Sequence, residues 1–367
     1  MAAKPHAEGS AMNEPELIDV LPAHRFDEAA LTQYLRQQLP ELGSELKVRQ
    51  FQGGQSNPTY LLESAGRRYV LRKKPPGKVL PSAHMVEREY KVIRALSEHT
   101  QVPVPRVHLL CEDEAVIGTA FYVMDHVEGR IFSHPALEGL AVDDRNAIHL
   151  AAVDTLAELH KVDVAAVGLG DFGKAQGYFA RQVKRWSGQY QASRTGDMPA
   201  MENLMQWLPE QVPQRDECAI AHGDYRLGNL IFDPAEARVA AILDWELSTV
   251  GHPLADLAYF CLPYHLPAGI DGLRGLIGID LQAQGIPPEQ DVLARYCQQS
   301  GRAEVADWHV FVAFSLFRLA AILQGVYARA LQGNASNADA LQVGQRAGLL
   351  AEAGWRIAQG GDKGALS

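Results

Sequence analysis

Two carboxylates and an amide stand at a spacing suited to moving a phosphoryl group. Asp224 and Asn229 lie in His222-Gly223-Asp224-Tyr225-Arg226-Leu227-Gly228-Asn229, and Asp244 follows fifteen residues later. A carboxylate such as Asp224 can orient an attacking hydroxyl or take its proton. Asn229 offers an amide oxygen and Asp244 a carboxylate, both hard ligands suited to Mg²⁺. Between them, Leu230-Ile231-Phe232, the turn Asp233-Pro234-Ala235-Glu236-Ala237 and residues 239–243 read as strand, turn, strand. That hairpin would fold the chain back and set Asp244 beside Asn229.

The elements that must hold these groups can be read in order. Residues 26–39 form an amphipathic helix, with Leu31, Leu35 and Leu39 on one face. Three short strands follow at 46–52, 59–64 and 68–72. The first turn between them, Gly53-Gly54-Gln55-Ser56-Asn57, is rich in residues that tolerate tight conformations. Pro75-Pro76-Gly77 breaks the chain before a helix starting near Ser82, a suitable N-cap. That helix carries Glu87, Glu89, Val92, Ile93 and Leu96. Residues 107–111 and 120–127 read as two further strands. Beyond Gly129 the chain is mainly helical, apart from the hairpin after Asn229. The expected division is a polar tail over 1–25, a nucleotide-binding lobe over 26–128 and a catalytic and substrate-binding lobe over 129–367.

The chain of 367 residues, 47% hydrophobic and 21% charged, has ample material for two globular units. Its net charge of −10 argues against a nucleic-acid partner, which needs a basic face. Cys111, Cys218, Cys261 and Cys297 are far apart and form no C-x-x-C pair. Reduced thiols in a cytoplasmic protein are therefore expected, not a zinc site or disulfide framework. Residues 1–16 lack an apolar core of signal-peptide length. Residues 308–330 are apolar over much of their length, yet Arg318 sits near the centre. A central Arg costs roughly 2.5–3.5 kcal/mol on insertion scales, so a buried helix is expected there and not membrane insertion.

Several motifs together resemble the aminoglycoside phosphotransferase and choline kinase-like family. More closely, they resemble the kinase-like domain that occurs fused to acyl-CoA dehydrogenases in some animal proteins. The resemblance runs from about Phe51 to about Gly333. Besides the loop at 222–229 and the turn at 53–57, it is carried by Tyr69-Val70-Leu71-Arg72-Lys73-Lys74-Pro75-Pro76-Gly77, Arg88-Glu89-Tyr90 and Phe121-Tyr122-Val123-Met124. Ile242-Leu243-Asp244-Trp245-Glu246 and Gly251-His252-Pro253-Leu254-Ala255-Asp256-Leu257-Ala258 complete it. It implies an α+β, bilobed protein kinase-like fold, with a small antiparallel-sheet N-terminal lobe and a larger, mainly helical C-terminal lobe. The implied cofactors are ATP and Mg²⁺.

The resemblance also assigns roles. Gly53, Gly54, Gln55, Ser56 and Asn57 would cover the ATP phosphates, where backbone N–H groups need close approach. The end of the third strand, where the family commonly has Lys, carries Arg72. Lys73 should point to the opposite face by strand alternation. Lys74 shares the parity of Arg72 but lies at the strand end. Glu89 is the expected partner of Arg72, with Glu87 as the alternative. Residues from Met124 to Val127 match the hinge whose backbone would bind adenine. His222 could be a general base itself, but in this loop type organising the backbone around Asp224 fits better. Asp256 reads as a buried buttress for the same loop. Gly223 replaces the Arg found here in regulated protein kinases, so control by activation-loop phosphorylation is not expected. Gly168-Leu169-Gly170-Asp171-Phe172-Gly173 spells two well-known motifs in the wrong context and reads as a structural loop.

Phe179, Val183, Trp186 and Tyr190 form an apolar helical stripe, accompanied by Lys174, Arg181, Lys184, Arg185 and Arg194. This is either a solvated basic face or the wall of an acceptor site, with Arg181, Lys184 and Arg185 as the candidate acceptor-binding residues. The leading expectation is a small-molecule kinase moving the ATP γ-phosphate to a hydroxyl of an anionic acceptor. The dehydrogenase-fused relatives imply a hydroxyacyl-CoA or hydroxy acid. The alternatives are an aminoglycoside-type antibiotic kinase, whose polycationic substrates would want an acidic wall, and a nucleotide-binding pseudokinase acting as a partner protein. Oligomeric state is not legible.

Overall fold

The computed structural model describes residues 16–52, 57–75, 85–211, 213, 216–270, 272–332 and 340–360. In chain order its first elements are β1 (Leu17–Ile18), α1 (Glu28–Gln38), β2 (Lys47–Phe51), β3 (Thr59–Ser64), β4 (Arg67–Lys73), α2 (Val86–His99), β5 (Val107–Cys111), α3 (Glu114–Ile117) and β6 (Phe121–Asp125). They are followed by α4 (Val142–His160), α5 (Tyr178–Ser193), α6 (Pro199–Trp207), β7 (Ala219–Ala221), β8 (Leu230–Phe232), β9 (Val239–Ile242), β10 (Thr249–Gly251), α7 (Pro253–Cys261), α8 (Glu289–Ser300), α9 (Trp308–Leu331), α10 (Ala340–Gln345) and α11 (Ala347–Ala358).

The chain divides into two compact units, one made of Met1–Ser133 with Gly228–Ser248, the other of His134–Leu227 with Thr249–Ser367. This partition differs from the division expected at residue 128, because the β8–β9 hairpin joins the first unit. The cause is backbone pairing. Arg130 and Phe232 exchange both N–H···O bonds at 2.8 Å, and the Ile242 N–H donates to Pro103 O at 2.9 Å. Gly129 runs so close that a Cβ there would meet the Phe232 carbonyl oxygen at 2.1 Å.

In the first unit, six strands form an antiparallel sheet in the order β1-β2-β3-β4-β6-β5. Period-two alternation sorts its side chains. Tyr60, Leu62, Tyr69, Leu71, Phe121 and Val123 face one way and bury with Leu31 and Leu35 of α1. The α1 N-cap is Asp27, whose carboxylate accepts the Ala30 N–H at 2.9 Å. Thr59, Leu61, Val70, Arg72, Tyr122 and Met124 line a cavity on the other face. Helix α2 begins later than the Ser82 start read from sequence. Its N-cap position is Met85, which makes no side-chain cap bond, and Ser82 lies outside the described residues.

The second unit is mainly helical around α9. The α5 stripe of Phe179, Val183, Trp186 and Tyr190 is buried, and Phe179 packs on Phe311 and Phe314 at centroid distances of 5.7 and 5.1 Å. Helix α9 is long and apolar enough to cross a membrane by length and composition, but 67% of its most apolar stretch is buried in the protein. Packing against α5, α7 and α11 accounts for that apolarity. The glycine-rich loop before α5 is structural: a Cβ on Gly173 would meet Thr249 Oγ1 at 2.6 Å and Val250 N at 2.8 Å.

Candidate active site

Arg72 is the hub of the first unit. Its place on β4, opposite Thr59 of β3 and Tyr122 of β6, aims it into the cavity while Lys73 turns into the opposite face. Arg72 Nε lies 2.8 Å from Glu89 Oε2, and Nη2 lies 2.8 Å from Asp244 Oδ1 and 3.8 Å from Glu246 Oε2. Glu87 instead pairs with Lys74 at 2.9 Å, so the structure separates the two carboxylates of α2. Burial works against the Arg72 charge, but Glu89, Asp244 and Glu246 hold its guanidinium above the usual value. Glu89 is pushed up to about 7, by burial first and by Asp244 and Glu246 next, against the pull of Arg72. The Glu89 carboxylate also accepts from Asn57 Nδ2 at 2.7 Å and from the Tyr122 hydroxyl at 3.1 Å.

Asn57 therefore departs from the expectation that it covers phosphates. It is fully buried, and its amide donates to the carboxylate that pairs with Arg72. Gly53, Gly54, Gln55 and Ser56 lie outside the described residues.

The hairpin brings the two proposed metal ligands together. Leu230 pairs with Ile242, and the Leu243 N–H donates to Asn229 O at 2.8 Å, which puts Asp244 one residue past the backbone contact. Asp244 adopts a left-handed conformation (φ 64°), an uncommon state that Asp tolerates better than most residues. Trp245 anchors that turn by burial and by an Nε1–H bond to Ile242 O at 3.0 Å. Both Asn229 and Asp244 line the cavity. Among the described residues there is no cluster of three His, Cys, Asp or Glu that could hold a metal. A two-oxygen donor set still fits Mg²⁺, which keeps several waters and takes further oxygens from substrate phosphates. The Arg72 guanidinium on Asp244 Oδ1 shows that this carboxylate already sits where a cation is held.

The cavity has a volume of about 760 Å³, ample for a nucleotide, and its far wall is the chain from Met124 to Gly129. There the Asp125 and His126 N–H groups are committed to Arg106 O at 2.8 Å and Arg68 O at 3.4 Å. The Val127 N–H has no hydrogen-bond acceptor among the described residues, which leaves it for a ligand.

In the second unit, Asp256 receives the backbone of the loop at residues 222–224. Its carboxylate accepts the His222 N–H at 2.5 Å and the Gly223 N–H at 2.8 Å. Burial alone would raise its proton affinity, but His160, His222 and the Gly223 N–H hold it below the usual carboxylate range. Gly223 has φ 85°, a left-handed backbone in which a side chain is strained. His222 is buried, and its Nδ1 accepts the Asp224 N–H at 3.2 Å, the geometry of an organiser of the loop. Arg318 of α9 donates to Gly223 O at 2.6 Å. Its guanidinium carbon lies 5.4 Å from the ring centroids of both Trp186 and Tyr259. Tyr259 hydrogen-bonds Asp224, and burial together with the Asp224 charge keeps its hydroxyl protonated.

The basic residues of α5 occupy different settings. Arg181 donates to the backbone carbonyls of Gln176 and Lys174 and so ties the loop before α5. Lys184 and Arg185 are exposed, and Arg185 stacks on Trp186 at 5.4 Å. The sequence assigned no site role to Tyr122, Glu246, Tyr259 or Arg318. Tyr122 was within reach, since it shares the strand parity of Met124; the others are set by tertiary packing.

The profile of the phosphotransferase enzyme family matches residues 47–308. The chain belongs to that family. Human acyl-CoA dehydrogenase family member 11 is 44% identical over 355 residues, covering 95% of this chain and 45% of the human protein. The chain thus spans less than half the length of the curated acyl-CoA dehydrogenase relatives it matches. A crystal structure from Ralstonia eutropha, provisionally named an aminoglycoside phosphotransferase, is 46% identical with a TM-score of 0.84, covering 92% of this chain and 100% of that one. A thermostable aminoglycoside phosphotransferase variant bound to ADP and hygromycin B shares the fold at 15% identity and a TM-score of 0.56, over 89% of this chain and 98% of that one. The fold is the α+β, protein kinase-like fold of these enzymes.

Proposed function

We propose that the protein is an ATP- and Mg²⁺-dependent small-molecule kinase that transfers the γ-phosphate to a substrate hydroxyl. The observation that carries this reading is the nucleotide-sized cavity of the first unit, with Arg72, Asn229, Asp244 and the Val127 N–H on its walls. The family membership and the ADP held by a protein of the same fold support it. Arg72 would clamp the nucleotide phosphates, with the Glu89 carboxylate beside it as its ion-pair partner. Asn229 and Asp244 would hold Mg²⁺, which neutralises charge on the phosphates when bound. Asp224, five residues before Asn229 on the same loop, would orient the acceptor hydroxyl and take its proton, with Tyr259 fixing its carboxylate. The names of the relatives favour a hydroxyacyl-CoA or hydroxy acid as acceptor. The exposed Lys184 and Arg185 on α5 support an anionic acceptor over a polycationic antibiotic. The free cysteines support a cytoplasmic setting.

The test is an ATP-dependent screen of metabolite extracts for a mass gain of one phosphate, scored together with ADP release. A hit that vanishes in Asp224→Asn is the expected result. If no extract raised ADP release above that of Asp224→Asn, the protein would be a nucleotide-binding partner and not a kinase.

A further inference from the structure

Helix α9 is apolar on both sides of Arg318, with Phe314, Phe317, Ala320 and Ala321 all buried, and Arg318 itself is only 7% exposed. Its guanidinium makes three contacts. Nη2 donates to Gly223 O at 2.6 Å, and the guanidinium carbon lies 5.4 Å from the ring centroids of Trp186 and Tyr259. Among the described residues no carboxylate pairs with it, and its Nε has no hydrogen-bond acceptor. A buried charge without a counter-ion costs free energy, and an apolar chain of like volume in its place is often neutral or stabilising. Packing alone therefore gives no reason for an arginine at this point of α9. What the guanidinium adds is a directed donor, held against two aromatic rings.

That donor reaches the peptide that joins Gly223 to Asp224. The carbonyl of this peptide accepts from Arg318 Nη2, and its N–H donates to His222 Nδ1 at 3.2 Å. A planar peptide pinned at both ends constrains the direction in which the Asp224 side chain leaves the loop. Tyr259, one of the two rings against Arg318, also hydrogen-bonds the Asp224 side chain. Arg318 thus touches two groups that set Asp224, the peptide behind it and the ring beside it. We propose that Arg318 is a positioning residue for Asp224, acting through the Gly223 carbonyl and the Tyr259 ring. The turnover it supports rests on the proposed kinase function; the fixing of the loop does not.

Arg318→Met removes the donor and the charge while keeping an apolar chain in the same space. Arg318→Lys keeps the charge without the planar fork, and it carries the test should Arg318→Met not fold. Amide exchange over residues 222–226 is read by mass spectrometry for wild type and each folded variant. The Asp224 amide should exchange about tenfold faster or more in both variants, with the strands of the first unit protected as in wild type. Wild-type protection of that amide in the variants overturns the clamp, whatever the activity. With an acceptor in hand, kcat should fall roughly 10–100-fold in Arg318→Met, while KM for acceptor and ATP stays within about twofold. The deciding measurement is the double variant Arg318→Met/Asp224→Asn. A group that acts through Asp224 costs nothing further once that carboxylate is gone, so the double variant should turn over as Asp224→Asn does. A merely structural role costs the same factor in both backgrounds, and that additivity would overturn the positioning role. A raised acceptor KM with kcat unchanged would overturn it too, making Arg318 a substrate contact. Absence of any ADP release from wild type would sink the kinase reading and leave amide exchange to decide whether Arg318 fixes the loop.

Discussion

Arg72 lies between two carboxylates, with Nε 2.8 Å from Glu89 Oε2 as an ion pair and Nη2 donating to Asp244 Oδ1 at 2.8 Å, so one guanidinium bridges the α2 carboxylate and the carboxylate that ends the hairpin. A lysine ammonium is a compact point charge without this fixed fork. The fork suits an arginine to this position: Nη2 donates to Asp244 Oδ1 at 2.8 Å and Nη1 to Thr59 Oγ1 at 3.4 Å, while the Glu89 carboxylate lies beside Nε as an ion-pair partner. A bound nucleotide and metal must compete for both ends of that contact, the phosphates for Arg72 and the cation for Asp244.

The competition gives a crossed prediction for Asp244→Ala. Without metal, the variant should bind ATP at least as tightly as wild type, because Arg72 is released from Asp244. With Mg²⁺ present it should bind more weakly, and the loss should exceed that of Asn229→Ala, since an amide carries no charge. Fluorescence of Trp245, which lines the cavity, can report both titrations. A variant weakened equally with and without Mg²⁺ would show that the Arg72–Asp244 contact does not compete with ligand.

Asp224→Asn should keep its fold, because the loop is held by Asp256 and His222 and not by the Asp224 carboxylate. Turnover should fall by about 10²–10⁴-fold, the usual contribution of a positioned acid–base group. Nucleotide affinity measured by titration should stay within about twofold. Near-wild-type turnover would remove Asp224 from the chemistry.

Strand alternation makes a third case. Lys73 is 2% exposed on the core face of β4, with Nζ 5.8 Å from the centre of the Phe26 ring, and burial lowers its proton affinity. Below its folded-state value, the buried charge costs stability that a neutral side chain of like shape avoids. Lys73→Met should therefore match or exceed the wild-type Tm at pH 7 and leave ATP affinity unchanged, whereas Arg72→Met should weaken ATP binding at least tenfold. Equal losses of affinity in the two variants would contradict the strand register.

Much of this arrangement is written locally. The parity of Arg72 and Lys73 follows from a period of two, and the β8–β9 hairpin from two apolar runs around Asp233-Pro234. What was not legible depends on long-range packing. Asn57 looks like part of a flexible turn until Glu89, thirty-two residues on, is placed against it. The hairpin reads as part of the helical half until Arg130 pairs with Phe232. Ser82 was a sound N-cap candidate by type, but the first turn of α2 forms at Val86 instead.

The last prediction concerns pH. Glu89 is buried among Arg72, Tyr122 and Asn57, with Asp244 and Glu246 near enough to raise its proton affinity, and its carboxyl is pushed up to about 7. Its ordinary value is 4.5, so between that pH and about 7 the unfolded chain ionises freely while the folded chain keeps its proton. Stability therefore falls as pH rises through this window and is flat above it. Each tenfold change in proton affinity is worth ~1.4 kcal/mol, so the loss should approach about 3 kcal/mol. Glu89→Gln cannot ionise and should lack this slope. Urea unfolding of both proteins without nucleotide, at pH 5 and pH 8, isolates the effect from other titrating groups. The variant should gain stability relative to wild type at the higher pH. A relative loss at pH 8 would mean that the Arg72 charge outweighs burial and that Glu89 folds as an ordinary ionised carboxylate.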